Sequence, residues 1–230
     1  MDVKGLVGEV GEVGEVEKLR LDRPGCGASF PNERSDMPNA PYDERLDALL
    51  RVAAQVFARK GYHATTMRDL SRASGMSLAG MYHYVPGKED LLYLIQRRCF
   101  QSVLRDVQEA VNAESDPLER LRTFVRHHLA FFAANMNEMK VLSHEAESLS
   151  GERAAEILEL KRRYATLLQR LIAEADGHNP SVSAYALFGM MNWIYTWYRP
   201  DGPMGPEDLS SAIAELFLHG VAGAGSAGTD

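Results

Sequence analysis

Residues 65–92 read TTMRDLSRASGMSLAGMYHYVPGKEDLL, and this stretch predicts two short helices joined by a tight turn. Thr66 and Asp69 have the three-residue spacing of a helix-capping box. Gly75 supplies the turn, Ser77 caps the second helix, and a proline–glycine pair then ends it. Two short helices around such a turn make a helix-turn-helix, the module that places one helix in the major groove of DNA.

The apolar periodicity outside this stretch is helical as well. Leu46, Leu49, Leu50, Ala53 and Phe57 form one stripe, which predicts a helix that a glycine ends. The same signals predict later helices over residues 88–110, 117–135, 137–149, 152–176, 181–198 and 206–221. The pattern therefore predicts an all-α protein of about nine helices, with an N-terminal three-helix helix-turn-helix domain and a larger helical domain.

Composition divides the chain into four segments. Residues 1–40 hold a Gly-Glu-Val repeat followed by scattered prolines, which predicts a disordered leader. Because Met37 stands just before the periodic part, we also consider that translation starts there. The helix-turn-helix domain is expected over 41–88, the larger domain over 89–222, and a frayed Gly/Ala-rich tail over 223–230.

Charge and cysteine content limit the class of protein. The net charge is −7, yet residues 41–106 carry ten basic and seven acidic side chains, so the predicted DNA-binding segment is basic. Cys26 and Cys99 are too few for a disulfide framework. The sequence has no apolar run of membrane-spanning length and no secretion-like N-terminus. We therefore expect a cytoplasmic protein.

The segment from Phe57-Ala-Arg-Lys-Gly-Tyr62 through Ser77-Leu-Ala-Gly-Met-Tyr-His-Tyr84 to Gly87-Lys-Glu-Asp-Leu91 resembles the DNA-binding domain of the TetR family of bacterial regulators. The resemblance implies a homodimer on a pseudo-palindromic operator, with one helix-turn-helix on each half-site. The candidate DNA-binding residues are Thr66, Arg68, Ser77, Leu78, Ala79, Gly80, Tyr82, His83, Tyr84 and Lys88.

The candidate contacts differ in their chemistry. Arg68 suits bidentate contact with guanine, whereas Lys88 at a helix start suits phosphate. Tyr82 and Tyr84 offer hydroxyls to phosphate, although core packing is the alternative for both rings. His83 could face either way, and Met81 is expected in the core.

The larger domain resembles a subgroup of TetR-type repressors that control fatty-acid or steroid catabolism and respond to acyl-CoA thioesters. This resemblance implies a ligand-binding and dimerisation domain with a small-molecule effector of the acyl-CoA class and no cofactor. Candidate pocket residues are Arg126, Phe131, Met139, Tyr164, Asn192, Trp193 and Trp197. The apolar helix 181–198 and the last helix are the expected dimer face. Regulation of efflux or another pathway by a different apolar or aromatic molecule is the alternative.

Three other classes of protein are a metal sensor, an enzyme and a DNA-binding protein without an effector. A metal sensor would use His127, His128, His144, Glu145 or Cys99, but adjacent histidines on a helix point about 100° apart. An enzyme is disfavoured because the sequence lacks a phosphate-binding glycine loop, a Gly-x-Ser-x-Gly elbow, HExxH and CxxC. A DNA-binding protein without an effector remains open at this point.

Overall fold

The computed structural model describes residues 42–145, 147–175 and 178–223. These form α1 (Tyr42–Lys60), α2 (Met67–Ser74), α3 (Leu78–Tyr84), α4 (Lys88–Asn112), α5 (Pro117–Ala134), α6 (Met136–His144), α7 (Gly151–Glu174), α8 (Pro180–Asn192), a 3₁₀ turn (Trp193–Thr196) and α9 (Pro206–Gly223). No strand occurs within these ranges, which confirms the all-α prediction. The predicted leader, Met37, Cys26 and most of the predicted tail lie outside the described residues.

The helix-turn-helix forms because local signals agree with packing. Gly75 ends α2 with a φ of +70°, a conformation that costs glycine little. Leu70 of α2 and Met81 of α3 are both fully buried against α1, where Leu49, Ala53 and Phe57 face inward. Two short helices thereby gain from tertiary packing the stability that isolated helices of this length lack.

In the larger domain, α4 and α7 run side by side in the same direction. Asp90 pairs with Arg153, Arg97 pairs with Glu156 at 2.8 Å, and further along the Lys161 ammonium lies 5.7 Å from the centre of the Phe100 ring. α5 packs against both helices and against α9, while α8 packs on α7. The helix that starts at the DNA-binding module is therefore built into the core of the larger domain.

Two predicted helices are shorter than expected. α8 ends at Asn192 rather than at residue 198, because the Thr196 hydroxyl bonds to the Trp193 carbonyl at 2.7 Å and the backbone tightens into a 3₁₀ turn. α6 ends at His144 rather than at residue 149. There the buried Gln96 side chain donates to the Glu145 carbonyl at 3.0 Å and fixes the departing chain.

One apolar face of α8 and the following turn is left uncovered by the chain itself. Val182 is 69% exposed, Tyr185 64%, Trp193 61% and Trp197 52%, and Leu216 of α9 is 43% exposed. A cluster of large apolar side chains in water is typical of a protein–protein contact. Its position agrees with the dimer face expected from the sequence.

Candidate DNA-binding surface and ligand cavity

Helix α2, the first of the two helices of the helix-turn-helix, begins with a complete capping box. The Thr66 hydroxyl accepts from the Asp69 backbone N–H at 3.2 Å, and the Asp69 carboxylate accepts from the Thr66 backbone N–H at 2.9 Å. Lys60 adds an ion pair to the same carboxylate at 2.6 Å. The bonds from Lys60 and then Thr66 hold the pKa of Asp69 well below its usual range. The Thr66 side chain is therefore engaged in fixing α2.

Helix α3, the second helix of the helix-turn-helix, is capped by Ser77, whose hydroxyl accepts from the Gly80 backbone N–H at 3.0 Å. A Cβ built on Gly80 would lie 3.1 Å from that same oxygen. The glycine therefore fits the cap as well as a close approach to DNA, which was the reason suggested by the sequence. Ala79 is exposed and Leu78 half-buried at the same end of α3.

The aromatic residues of α3 divide between solvent and packing. Tyr82 is 52% exposed and His83 is also exposed, whereas Met81 is buried. Tyr84 is half-buried and stacks on the Tyr42 ring with a centroid distance of 4.6 Å. The Tyr82 ring is thus free to meet a partner, whereas the exposed His83 ring also contacts the rings of Tyr42 and Tyr84. The Tyr84 ring also supports the packing of α3 on α1.

The two candidate cations differ in their surroundings. Arg68 is exposed on α2. The Lys88 ammonium donates to the Tyr62 carbonyl at 2.8 Å and the His63 carbonyl at 3.3 Å, and it lies 4.3 Å from the centre of the Tyr62 ring. Lys88 therefore anchors the α1–α2 loop to the start of α4. Two of its three N–H groups are engaged there, which leaves one for a phosphate.

A cavity of about 280 Å³ lies in the larger domain among α4, α5, α6, α7 and α8. Its buried floor includes His128, Phe132, Met139 and Tyr164, and its exposed residues are Ser143, Tyr185 and Asn192. The remaining lining residues are Phe100, Leu142, Lys161, Ala165 and Phe188. A mostly apolar cavity with a few polar groups is the usual form of a small-molecule site.

A buried polar pair lies at the floor of this cavity. His128 Nδ1 and the Tyr164 hydroxyl are 2.9 Å apart, and the two rings stack within an aromatic cluster that includes Phe124 and Phe188. Burial lowers the pKa of His128 to about 3, although the nearby Asn192 side chain opposes the shift. Burial likewise raises the pKa of Tyr164. Both groups are therefore uncharged at neutral pH.

The cavity also has one cationic lining residue. Lys161 is half-buried beside Phe100, and burial lowers the pKa of its ammonium. The next residues of α7, Arg162 and Arg163, face a separate groove of about 460 Å³ between α4 and α7. Arg170 and Gln108 line the same groove. Glu159 lies there too, so the groove holds three arginines and one carboxylate, and Lys161 is the cation of the cavity itself.

The structure brings together only part of the pocket suggested by the sequence. Met139, Tyr164 and Asn192 line the cavity. Phe131 packs edge-on against Phe132 outside it, and Arg126 is exposed with its guanidinium on the Thr123 hydroxyl at 2.9 Å. Trp193 and Trp197 are exposed because the chain leaves helical geometry after Asn192.

The cavity residues that were not among the candidates from the sequence lie on the same helix faces as other cavity residues. His128 and Phe132 are four residues apart on α5, and Lys161 lies three residues before Tyr164, which the sequence had selected, so each pair lies on one face. Strict phasing of α5 would have selected His128 rather than Arg126. Within the described ranges, no group of three or more His, Cys, Asp or Glu side chains is arranged to hold a metal ion. Cys99 is buried, and burial raises the pKa of its thiol.

Comparison with known proteins identifies the family. A family model described as bacterial regulatory proteins, tetR family, matches residues 49–93, and a tetracyclin repressor-like C-terminal domain model matches residues 114–221. The HTH-type transcriptional activator FasR of Mycolicibacterium smegmatis is 33% identical over 185 residues, covering 79% of this chain and 84% of FasR. The chain belongs to the TetR family of bacterial transcriptional regulators. Regulators of this family bind operator DNA as dimers and bind small-molecule effectors.

Two further similarities extend over both domains. The HTH-type transcriptional repressor KstR2 of Mycolicibacterium smegmatis is 24% identical over 195 residues, covering 81% of this chain and 94% of KstR2. A crystal structure of AibR in complex with isovaleryl coenzyme A and operator DNA matches with a TM-score of 0.68 and 30% identity, covering 75% of this chain and 97% of AibR. Of the helices that the structure describes, none has both the length and the apolar character needed to cross a bilayer.

Proposed function

We propose that this TetR-family regulator represses genes of lipid catabolism and leaves its operator when an acyl-CoA thioester occupies the cavity. The observation that carries the proposal is the cavity itself, whose apolar floor is combined with a cation, Lys161, on its wall. Such a lining suits a ligand with an apolar part and an anionic part. The isovaleryl-CoA complex of AibR supports this class of effector, and the similarity to the repressor KstR2 supports repression.

The size of the cavity favours a divided ligand. A volume of about 280 Å³ is at the lower limit of ordinary small-molecule sites, which span roughly 300–1,000 Å³. The acyl group would fill the cavity, while the larger coenzyme part would remain outside. Lys161, the cation on the cavity wall, provides a charge-assisted donor for the anionic part of the ligand, whereas Arg162 and Arg163 line a separate groove.

The route from ligand to DNA runs through α4. Phe100 in the middle of α4 lines the cavity, and Lys88 at the first position of the helix donates to carbonyls of the DNA-binding module. A ligand that displaces α4 would change the separation of the two recognition helices in the dimer. Ligand and operator would then oppose each other's binding by a coupling free energy of typically 1–3 kcal/mol.

The decisive experiment is an operator gel shift on the DNA upstream of the protein's own gene. Acyl-CoA thioesters of two to twelve acyl carbons should release the DNA, with free CoA and the free acids as controls. Release by the thioester alone is the expected result. Retention of DNA at saturating concentrations of every thioester would refute the proposed effector.

The cavity lining also favours a second candidate effector. Phe100, Phe132, Tyr164, Tyr185 and Phe188 surround the space with aromatic rings, which suit a planar aromatic ligand. Release of the operator by such molecules, without any response to thioesters, would move the regulator to efflux or another pathway.

A further inference from the structure

His128 has one ring nitrogen without a partner. Its side chain is 1% exposed, and Nδ1 is taken by the Tyr164 hydroxyl at 2.9 Å. Nε2 is buried and has no hydrogen-bond partner of normal geometry, although Asn192 lies nearby. A buried polar atom left in this state destabilises a folded protein, so it needs an explanation. His128 lines the cavity, which is where a partner can enter.

The hydrogen-bond network assigns the proton of this histidine. The ring is neutral, and the buried Tyr164 hydroxyl has a single hydrogen to donate. If Nδ1 carried the proton, both the Tyr164 hydrogen and Nε2 would be unpaired. If Tyr164 donates to Nδ1, the only unpaired group of the pair is an N–H at Nε2. The second arrangement satisfies more of the buried groups, so Nε2 is a hydrogen-bond donor.

We infer that the effector carries a hydrogen-bond acceptor oxygen within the acyl part that fills the cavity and that His128 Nε2–H binds this oxygen. His128 lies on the buried floor with Phe132 and Met139, whereas Ser143, Tyr185 and Asn192 are at the exposed side. Asn192 lies near Nε2 on that exposed side, so Nε2 is one layer inside the opening and the oxygen belongs to the acyl part of the ligand rather than to its coenzyme part. The effector class is an acyl chain or ring that bears a keto or ether oxygen, rather than a plain saturated chain. This inference rests on the proposed function, because it assigns the proposed effector to this cavity.

A site that presents an unpaired donor discriminates strongly between ligands that do and do not satisfy it. A saturated chain would leave Nε2–H buried without a partner, whereas an oxo chain of the same length would pair it. We expect the preference for the oxo ligand to be about tenfold or more.

The test compares octanoyl-CoA with its 5-oxo, 6-oxo and 7-oxo analogues by isothermal titration calorimetry on the full-length protein. The variant is the double substitution His128→Phe/Tyr164→Phe, which removes the donor and its partner together and keeps both rings. The matched control is His127→Phe, because His127 is the neighbouring residue on α5 and does not line the cavity. Nitrogen-15 NMR of the histidine rings reads the tautomer directly and does not depend on any variant.

The inference expects at least one oxo analogue to bind the wild-type protein at least about tenfold more tightly than octanoyl-CoA. The double variant should reverse or abolish that preference, and His127→Phe should keep it. Equal affinity of wild type for octanoyl-CoA and all three analogues, or an Nδ1–H tautomer, would overturn the inference and leave an acyl-CoA effector intact. Absence of binding by every thioester would instead overturn the proposed function, and this inference with it.

Discussion

Replacement of Lys88 by methionine tests how the DNA-binding module is joined to the larger domain. The substitution keeps the apolar stem and removes the ammonium that donates to the Tyr62 and His63 carbonyls. A hydrogen bond from a charged group contributes about 1.5–3 kcal/mol, and partial exposure places these two at the low end or below. We therefore expect Lys88→Met to lower the free energy of unfolding by about 2 kcal/mol. For a folded part of this size, that loss lowers Tm by about 4–8 °C.

The same substitution should also affect DNA binding. If the remaining N–H of Lys88 binds a phosphate, its removal weakens all DNA sequences alike. The slope of log K against log salt would then become shallower by about one for each half-site. Lys140→Met on α6 is the matched control, since it removes one lysine charge from the larger domain and should leave both quantities unchanged.

Thermal melts at fixed protein concentration and operator titrations at several salt concentrations measure the two effects separately. An unchanged Tm would refute the anchoring role derived from the carbonyl contacts. A lower Tm with an unchanged salt slope would refute the phosphate contact and leave Lys88 as a residue that positions the α1–α2 loop.

Three other predictions follow from exposure and burial. Arg68→Ala should reduce discrimination between operator and mutated operators by about 1–3 kcal/mol in competition titrations, with an unchanged Tm because the side chain is exposed; undiminished discrimination would remove Arg68 as a base reader. Val182→Glu should dissociate the dimer in sedimentation experiments. Leu158→Glu, which changes an exposed aliphatic residue on α7, should not. A dimeric Val182→Glu protein would contradict the assigned dimer face. Because the pKa of His128 is about 3 when folded and about 6.5 when unfolded, the unfolded chain binds the extra proton between these values. The free energy of unfolding should therefore fall as the pH drops below 6.5, by up to about 1.4 kcal/mol per pH unit. Melts of His128→Phe should show a weaker dependence of stability on pH. An equally steep dependence in the variant would assign the effect to other groups.

The DNA-binding module was predictable because its signals are local. The Thr66–Asp69 box, the glycine at position 75 and the Ser77 cap each depend on residues within a few positions along the chain. Such contacts follow from backbone geometry and need no knowledge of the remaining fold. The loop contact of Lys88 was not predictable, since it joins residues about 25 positions apart.

The cavity was predicted poorly because it depends on five helices at once. Choosing residues by aromatic or cationic type selected Arg126 and Trp193, which the packing leaves exposed. The prediction for Trp193 was wrong because α8 ends at Asn192. Beyond that residue the backbone is no longer α-helical, so later side chains point in other directions than a continued helix would give them. The helical phase of α5 was the better guide, and it leads to His128.

The contact between α4 and α7 has different chemistry at its two ends. Near the DNA-binding module it is held by partly exposed ion pairs of Arg153 with Asp90 and of Arg97 with Glu156, whereas Leu104 and Leu167 are buried further along. Dissolved salt screens the first kind of contact and leaves the second unaffected or stronger. Added salt should therefore loosen the ion-paired end of the α4–α7 contact before it affects the apolar end.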